Sequence, residues 1–170
     1  MGTRKARRMP KAYNLPMPKR SAGLLLYRRR PSGVEVFLVH PGGPFWASKD
    51  MGAWSIPKGE YTGEEEPLAA AQREFAEETG FTARAPFLPL GNIRQPGGKI
   101  ISAWAAEGDC EPSALISNLC TIEWPPRSGK TIEIPEIDRG AWFSLPAARE
   151  RIFVGQRAFL DSLAQQLPPL

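Results

Sequence analysis

The stretch GEYTGEEEPLAAAQREFAEETGF, residues 59–81, constrains the fold more than any other part of the chain. It predicts one helix from Pro67 to Gly80, because proline suits the first helical position and glycine the end. Thr62-Gly63-Glu64-Glu65 also matches a capping box. A helix begun there would carry Pro67 in its interior, where the ring clashes with the preceding turn. On the predicted helix Glu74, Glu77 and Glu78 stand at i, i+3 and i+4 and share a face, while Leu68, Ala71 and Phe75 mark an apolar face expected to lie opposite. Like charges at that spacing destabilise a bare helix. A divalent cation would remove the repulsion, and hard oxygen ligands are what Mg²⁺ prefers. Arg73, four residues before Glu77, can hold a carboxylate through its fork of donors. A solvated acidic helix face is the competing account of the same charge run.

Around this helix the pattern is that of a sheet. Gly23 to Tyr27 and Val34 to Val39 predict a hairpin turning at Pro31-Ser32-Gly33. A loop over residues 41–53 leads to a short extended run at Trp54-Ser55-Ile56-Pro57. Apolar runs at Phe87–Ile93 and Ile100–Ala106 predict two more strands, and Ala141-Trp142-Phe143 another. Gly108 to Pro135 reads as a long irregular connection, with Trp124-Pro125-Pro126 and Ser128-Gly129 as its turn signals. Helices are expected at Leu145–Ile152 and Gln156–Leu167, the latter with Phe159, Leu160, Leu163 and Leu167 at core spacing. The fold class is therefore α/β, a sandwich with helices covering a mixed sheet.

With 170 residues, 42% hydrophobic and 24% charged, the chain has the balance of one domain with a real core. Its formal charge of +4 is unevenly spread: residues 1–20 hold seven Lys and Arg and no acid. Setting those seven aside leaves fifteen basic against eighteen acidic residues, a net of −3. Residues 1–18 are thus expected to be a basic, disordered tail, and 19–170 the folded domain. No apolar run approaches the ~20 residues that span a bilayer, and no secretory signal opens the chain, so a soluble, cytoplasmic protein without membrane contact is expected. Cys110 and Cys120 are too few for a disulfide framework and lack zinc spacing.

The acidic stretch resembles the Nudix box, G-x5-E-x7-R-E-U-x-E-E-x-G-U with U bulky and apolar. Gly59, Glu65, Arg73, Glu74, Phe75, Glu77, Glu78, Gly80 and Phe81 meet every fixed position. The resemblance implies a Nudix-type α/β/α sandwich and a magnesium-dependent hydrolase that cleaves a phosphoanhydride bond in nucleoside diphosphate derivatives. Carried over by position, it implies Mg²⁺ or Mn²⁺ held by Glu74, Glu77, Glu78 and the backbone carbonyl of Lys58. Glu65 would support these carboxylates and Arg73 orient them. Water would attack phosphorus in line, with catalysis resting on positioning and electrostatics. The general base varies in such enzymes. Glu136, just before the Ala141-Trp142-Phe143 strand, is the candidate outside the box, with Glu123 and Glu133 as rivals.

Trp54-Ser55-Ile56-Pro57-Lys58-Gly59 resembles the W-x-x-P-K-G run that leads into the box in enzymes acting on dinucleoside polyphosphates, diadenosine tetraphosphate above all. Lys58 is then a candidate phosphate contact, joined by an arginine from Arg28 to Arg30, and Trp54 a candidate to stack on a base. His40, the only histidine, is expected to be structural. Nucleoside triphosphates, oxidised ones among them, nucleotide sugars and RNA 5′ ends are alternative substrates, RNA being less favoured because no recognition module accompanies the tail. A non-catalytic Nudix ligand sensor is the alternative from another class, disfavoured by the intact set of glutamates. Oligomeric state stays open.

Overall fold

A computed structural model describes residues 18–168. The expected basic tail therefore lies, but for Pro18, outside the described residues. Strands β1 (Arg20–Arg30) and β2 (Gly33–Pro41) form the expected hairpin, followed by β3 (Lys58–Tyr61) and helix α1 (Pro67–Thr79). Then come β4 (Leu88–Arg94), β5 (Ile100–Glu107), β6 (Leu119–Glu123), β7 (Thr131–Pro135), β8 (Ile137–Ser144), α2 (Leu145–Arg151) and α3 (Arg157–Gln166).

The main sheet runs β4-β5-β1-β2-β8, with β3 added alongside β1. It is mixed, because β1 pairs parallel with β5 and antiparallel with β2 and β3. β1 shares one edge between two partners: β3 pairs with Arg20–Gly23, and β2 with Tyr27–Arg30. Between these pairings the sheet forks. There Leu24 N–H donates to the Pro57 carbonyl at 3.0 Å, and Val39 and Ser55 exchange backbone bonds of 2.9 Å.

Both faces of the sheet are covered, which is why β1 and β2 are apolar without alternation. Leu24, Leu26 and Phe37 point to the side where Ala70, Ala71 and Phe75 of α1 pack. Leu25, Val36 and Leu38 point to the other, against Ala148, Phe159, Leu160 and Leu163 of the terminal helices. The α/β/α sandwich is as expected.

Helix α1 has the expected bounds. Pro67 occupies its first turn, Gly80 ends it at φ 77°, and its N-cap residue Glu66 makes no side-chain capping bond. Thr62 instead closes a turn with Glu65 through a 3.1 Å backbone bond, so the capping-box match is not a helix start. The main departure lies in Gly108–Pro135, expected to be irregular. Strands β6 and β7 pair antiparallel there, Ile122 opposite Ile132 and Cys120 opposite Ile134, as a separate two-stranded sheet. The turn signals at 124–129 are the loop of this hairpin, and isoleucines alternating over five residues make too short a pattern to stand out beside them.

Phe75 is fully buried between α1 and the sheet, whereas Leu68 is only partly buried. Phe75→Ala is expected to destabilise the protein by about 3–5 kcal/mol, and Leu68→Ala by clearly less. Equilibrium urea unfolding of the two variants checks this; equal losses would contradict the packing described.

Candidate active site

The site grows from the fork in the sheet. Gln156, buried at the start of α3, accepts from the Ile56 N–H with its Oε1 at 3.0 Å and donates from Nε2 to Ser55 Oγ at 3.0 Å. This fixes the extended segment that delivers Lys58 and Gly59 to β3. Helix α1 lies against the same strand, and the approach is close: a Cβ on Gly59 would overlap the Glu74 carboxylate. The Lys58 N–H donates to Glu78 Oε2 at 3.1 Å.

The glutamates and the apolar residues of α1 are not on opposite faces, as expected from spacing alone. At about 100° per residue, Glu78 projects within about 20° of Ala71, and Glu77 about 120° away. Glu74 and Glu78 are accordingly 7% and 4% exposed, while Glu77 is open to solvent. Burial raises the pKa of Glu74, opposed by Arg73. Burial, reinforced by Glu136, pushes Glu78 up to about 9.

Arg73 is the hub. Its Nε and Nη2 donate to the two oxygens of Glu65 at 2.9 Å each, and its Nη1 to Glu74 at 2.8 Å and to Glu77 at 3.3 Å. Bonding to Glu65 above all, then to Glu74, raises the guanidinium further above its ordinary value, and the same contact holds Glu65 below the usual carboxylate range.

Glu136 lines the same cavity as Glu74, Glu77, Glu78 and Lys58. A backbone relay places it: Asn118 N–H donates to the Glu77 carbonyl at 2.9 Å, and Glu136 N–H to the Asn118 carbonyl at 3.0 Å. Gly42 N–H donates to the Glu136 carbonyl at 2.8 Å. The rivals lie elsewhere. Glu123 accepts from the Arg127 N–H in the β6–β7 turn, Glu133 is exposed on β7, and neither lines the cavity.

Two sequence expectations need correction. Trp54 is 4% exposed, with its ring edge-on to His40 and Phe143, Arg139 over its face, and its Nε1–H donating to Asp50 at 2.8 Å. A ring packed on all these sides is core, not a surface for a base. Arg28, Arg29 and Arg30 bond Glu35, Asp109 and Glu107, and Arg28 lies about 16 Å along β1 from Gly23, the partner of Lys58. They do not serve the cavity. His40 is structural as expected, buried with Nδ1 3.0 Å from Asp138 Oδ1 and Nε2 2.6 Å from the Lys49 carbonyl.

Lys58 is in place, its pKa lowered by burial and then by Lys99. Lys99 is a second cation in the cavity that spacing did not reveal, paired with Glu60 at 3.2 Å. The cavity, about 480 Å³, thus carries Glu60, Glu74, Glu77, Glu78 and Glu136 against two lysines. Among the described residues no three His, Cys, Asp or Glu side chains form a finished metal cage; Glu74 and Glu78 are turned to Arg73 and the Lys58 amide. The donor set nevertheless suits a hard divalent cation, being all oxygen, partly desolvated and short of positive charge.

Fold and site together define an α/β/α domain with a carboxylate-rich cleft suited to a divalent cation and phosphate. Residues 17–163 match the NUDIX domain family, and the chain belongs to that family. It is similar to an 8-oxo-(d)GTP phosphatase of Mycolicibacterium smegmatis, 36% identical over 116 residues, or 59% of this chain and 33% of the relative. The chain thus spans about a third of the length of the curated relative it matches. Among solved structures, the NUDIX domain of Shewanella oneidensis NrtR, complexed with ADP ribose, superposes with a TM-score of 0.63 at 16% identity, covering 95% of each chain. An Ap4A hydrolase of C. elegans superposes at 0.59 with 19% identity, covering 85% of this chain and 96% of the other. These likenesses show the shared fold. Among the described residues, no helix is long and apolar enough to cross a membrane.

The shift on Glu78 has a consequence for stability. Its carboxyl holds a proton up to about pH 9 when folded but only to about 4.3 when unfolded. The folded state therefore binds more protons between these values, and stability falls as pH rises through that window. In chelator-treated protein the wild type is expected to lose more stability between pH 5 and pH 8 than Glu78→Gln. Urea midpoints at both pH values check this, and parallel losses in the two proteins would contradict it.

Proposed function

We propose that this domain hydrolyses a phosphoanhydride bond in nucleoside diphosphate derivatives, with Mg²⁺ or Mn²⁺ as cofactor. The observation that carries this is the gathering of Glu74, Glu77, Glu78 and Glu136 with Lys58 and Lys99 around one cavity. Glu74, Glu77, Glu78 and the Lys58 backbone carbonyl would hold the ion. When bound, it supplies Lewis acidity toward phosphate oxygens and lowers the pKa of water. Arg73 orients Glu74 and Glu77 while Glu65 locks the guanidinium in place. Glu136 takes the proton of the attacking water as the new P–O bond forms and the bridging P–O bond breaks. Lys58 and Lys99 pair with phosphate oxygens at the same cavity.

The proposed substrates are dinucleoside polyphosphates such as diadenosine tetraphosphate. Support comes from the Trp54 to Gly59 lead-in and from the two lysines, which a longer phosphate bridge engages more fully than a short one. A second reading, an oxidised purine nucleoside triphosphate, is favoured by the likeness to the 8-oxo-(d)GTP phosphatase.

Steady-state kinetics with Mg²⁺ on diadenosine tetraphosphate, 8-oxo-dGTP, ATP and a 5′-triphosphate RNA distinguishes these. The highest kcat/KM is expected for the dinucleotide; a higher value for 8-oxo-dGTP selects the second reading. Glu77→Gln and Glu78→Gln are each expected to lower kcat by about 10²–10³, with Glu64→Gln and Glu66→Gln near wild type. Equal losses at all four positions, or full turnover in chelator, would overturn the proposal.

A further inference from the structure

Glu136 is the single residue between β7, which ends at Pro135, and β8, which begins at Ile137, and those strands belong to different sheets. It pairs in neither ladder, so its backbone groups must find partners elsewhere. Three bonds hold the junction. Two join backbone groups: the Glu136 N–H donates to the Asn118 carbonyl at 3.0 Å, and the Glu136 carbonyl accepts from the Gly42 N–H at 2.8 Å. The third comes from a side chain. Ser117 Oγ accepts from the Ile137 N–H at 2.9 Å and donates to the Asn118 carbonyl at 2.9 Å, the same oxygen that receives the Glu136 N–H. One hydroxyl thus closes a ring of hydrogen bonds around the Glu136 backbone.

We propose that Ser117 is a positioning residue, which aims the Glu136 carboxylate at the attacking water. This rests on the reading of the cleft as a hydrolase with Glu136 as its base. Of the three anchors only this one depends on a side chain; the others use backbone groups that nearly any residue carries. Ser117 is itself held from both sides. The Ile116 N–H donates to the Thr79 carbonyl and the Asn118 N–H to the Glu77 carbonyl, at 2.9 Å each. Both carbonyls belong to the last turn of α1, beside Glu77 and Glu78. Ser117 therefore ties the base to the helix that carries the proposed metal ligands. Across the junction the loop after β2 packs so closely that a Cβ on Gly42 would overlap the Pro135 carbonyl. Removing the hydroxyl leaves the Ile137 N–H without this partner and lets Glu136 turn about its two remaining bonds. A catalytic group misplaced by about 1 Å costs up to about 100-fold in rate. Substrate binding, which falls to the lysines and the metal, is left alone.

A double-mutant cycle tests this, with Mg²⁺ and whichever of diadenosine tetraphosphate and 8-oxo-dGTP the wild type turns over faster. Ser117→Ala is expected to lower kcat by about 5- to 50-fold with KM within about twofold of wild type. Ser117→Thr, which keeps the hydroxyl, should stay within about threefold of wild type in both constants. Glu136→Gln, which removes the base, is expected to lower kcat by about 10²–10⁴. In that background Ser117→Ala should cost less than about twofold more, because the carboxylate it serves is gone. Mn²⁺ affinity should match wild type in Ser117→Ala, since α1 keeps its own bonds. Equal losses in both backgrounds, a raised KM or weakened Mn²⁺ binding in place of the fall in kcat, or a wild-type rate in Ser117→Ala would overturn the role of Ser117 while leaving the hydrolase reading intact. Glu136→Gln at wild-type rate removes the base, and the role of Ser117 with it. Wild-type protein that turns over neither substrate overturns the hydrolase reading itself.

Discussion

Helix α1 lies so close to β3 that Gly59 has no room for a Cβ beside the Glu74 carboxylate, and the Lys58 amide bonds Glu78 directly. This contact takes two carboxylates out of water, which is unfavourable for an ion without a partner. The surrounding structure answers that cost with hydrogen bonds and opposite charge. Arg73 reaches Glu65, Glu74 and Glu77 at once, a task for a planar fork of donors that a lysine ammonium cannot match. What remains is an excess of acid around Glu78 and Glu136, the electrostatic state that a divalent cation relieves.

The fork in β1 makes this arrangement possible. By pairing its first half with β3 and its second half with β2, β1 opens the sheet where the segment from Trp54 to Pro57 must pass. The helices on the other face then become part of the site's support, since Gln156 holds that segment and Phe153 projects beside it. Packing on both faces thus converges on one cavity, whose lining residues sit on the strands and helix α1 or directly beside them.

Local patterns made much of this legible in the sequence. Pro67 and Gly80 bound α1 because each acts through its own backbone geometry, and the apolar run of β1 signals a strand covered on both faces. The nine box positions predicted which carboxylates belong together. Spacing could not tell which of them are buried, because that depends on where the sheet lies relative to the helix. Asn118, Gln156 and Lys99 also escaped notice, since each matters through partners distant in sequence. Lys99 arrives at the cavity by the parallel register of Arg20 with Ile100, and Asn118 bridges α1 to Glu136 from a stretch that reads as irregular. Trp54 misled for the same reason: its burial is set by Phe143, Arg139 and Asp50, which only the fold brings to it.

The buried carboxylates of α1 are the proposed divalent-cation site. The most direct measurement is a crystal soaked in Mn²⁺, with data collected near the manganese absorption edge. An anomalous peak is expected within bonding distance of the Glu74 and Glu78 carboxylates, lost in Glu78→Gln crystals soaked in parallel. Ordered crystals with no such peak at millimolar Mn²⁺, or with manganese bound only away from α1, would contradict it.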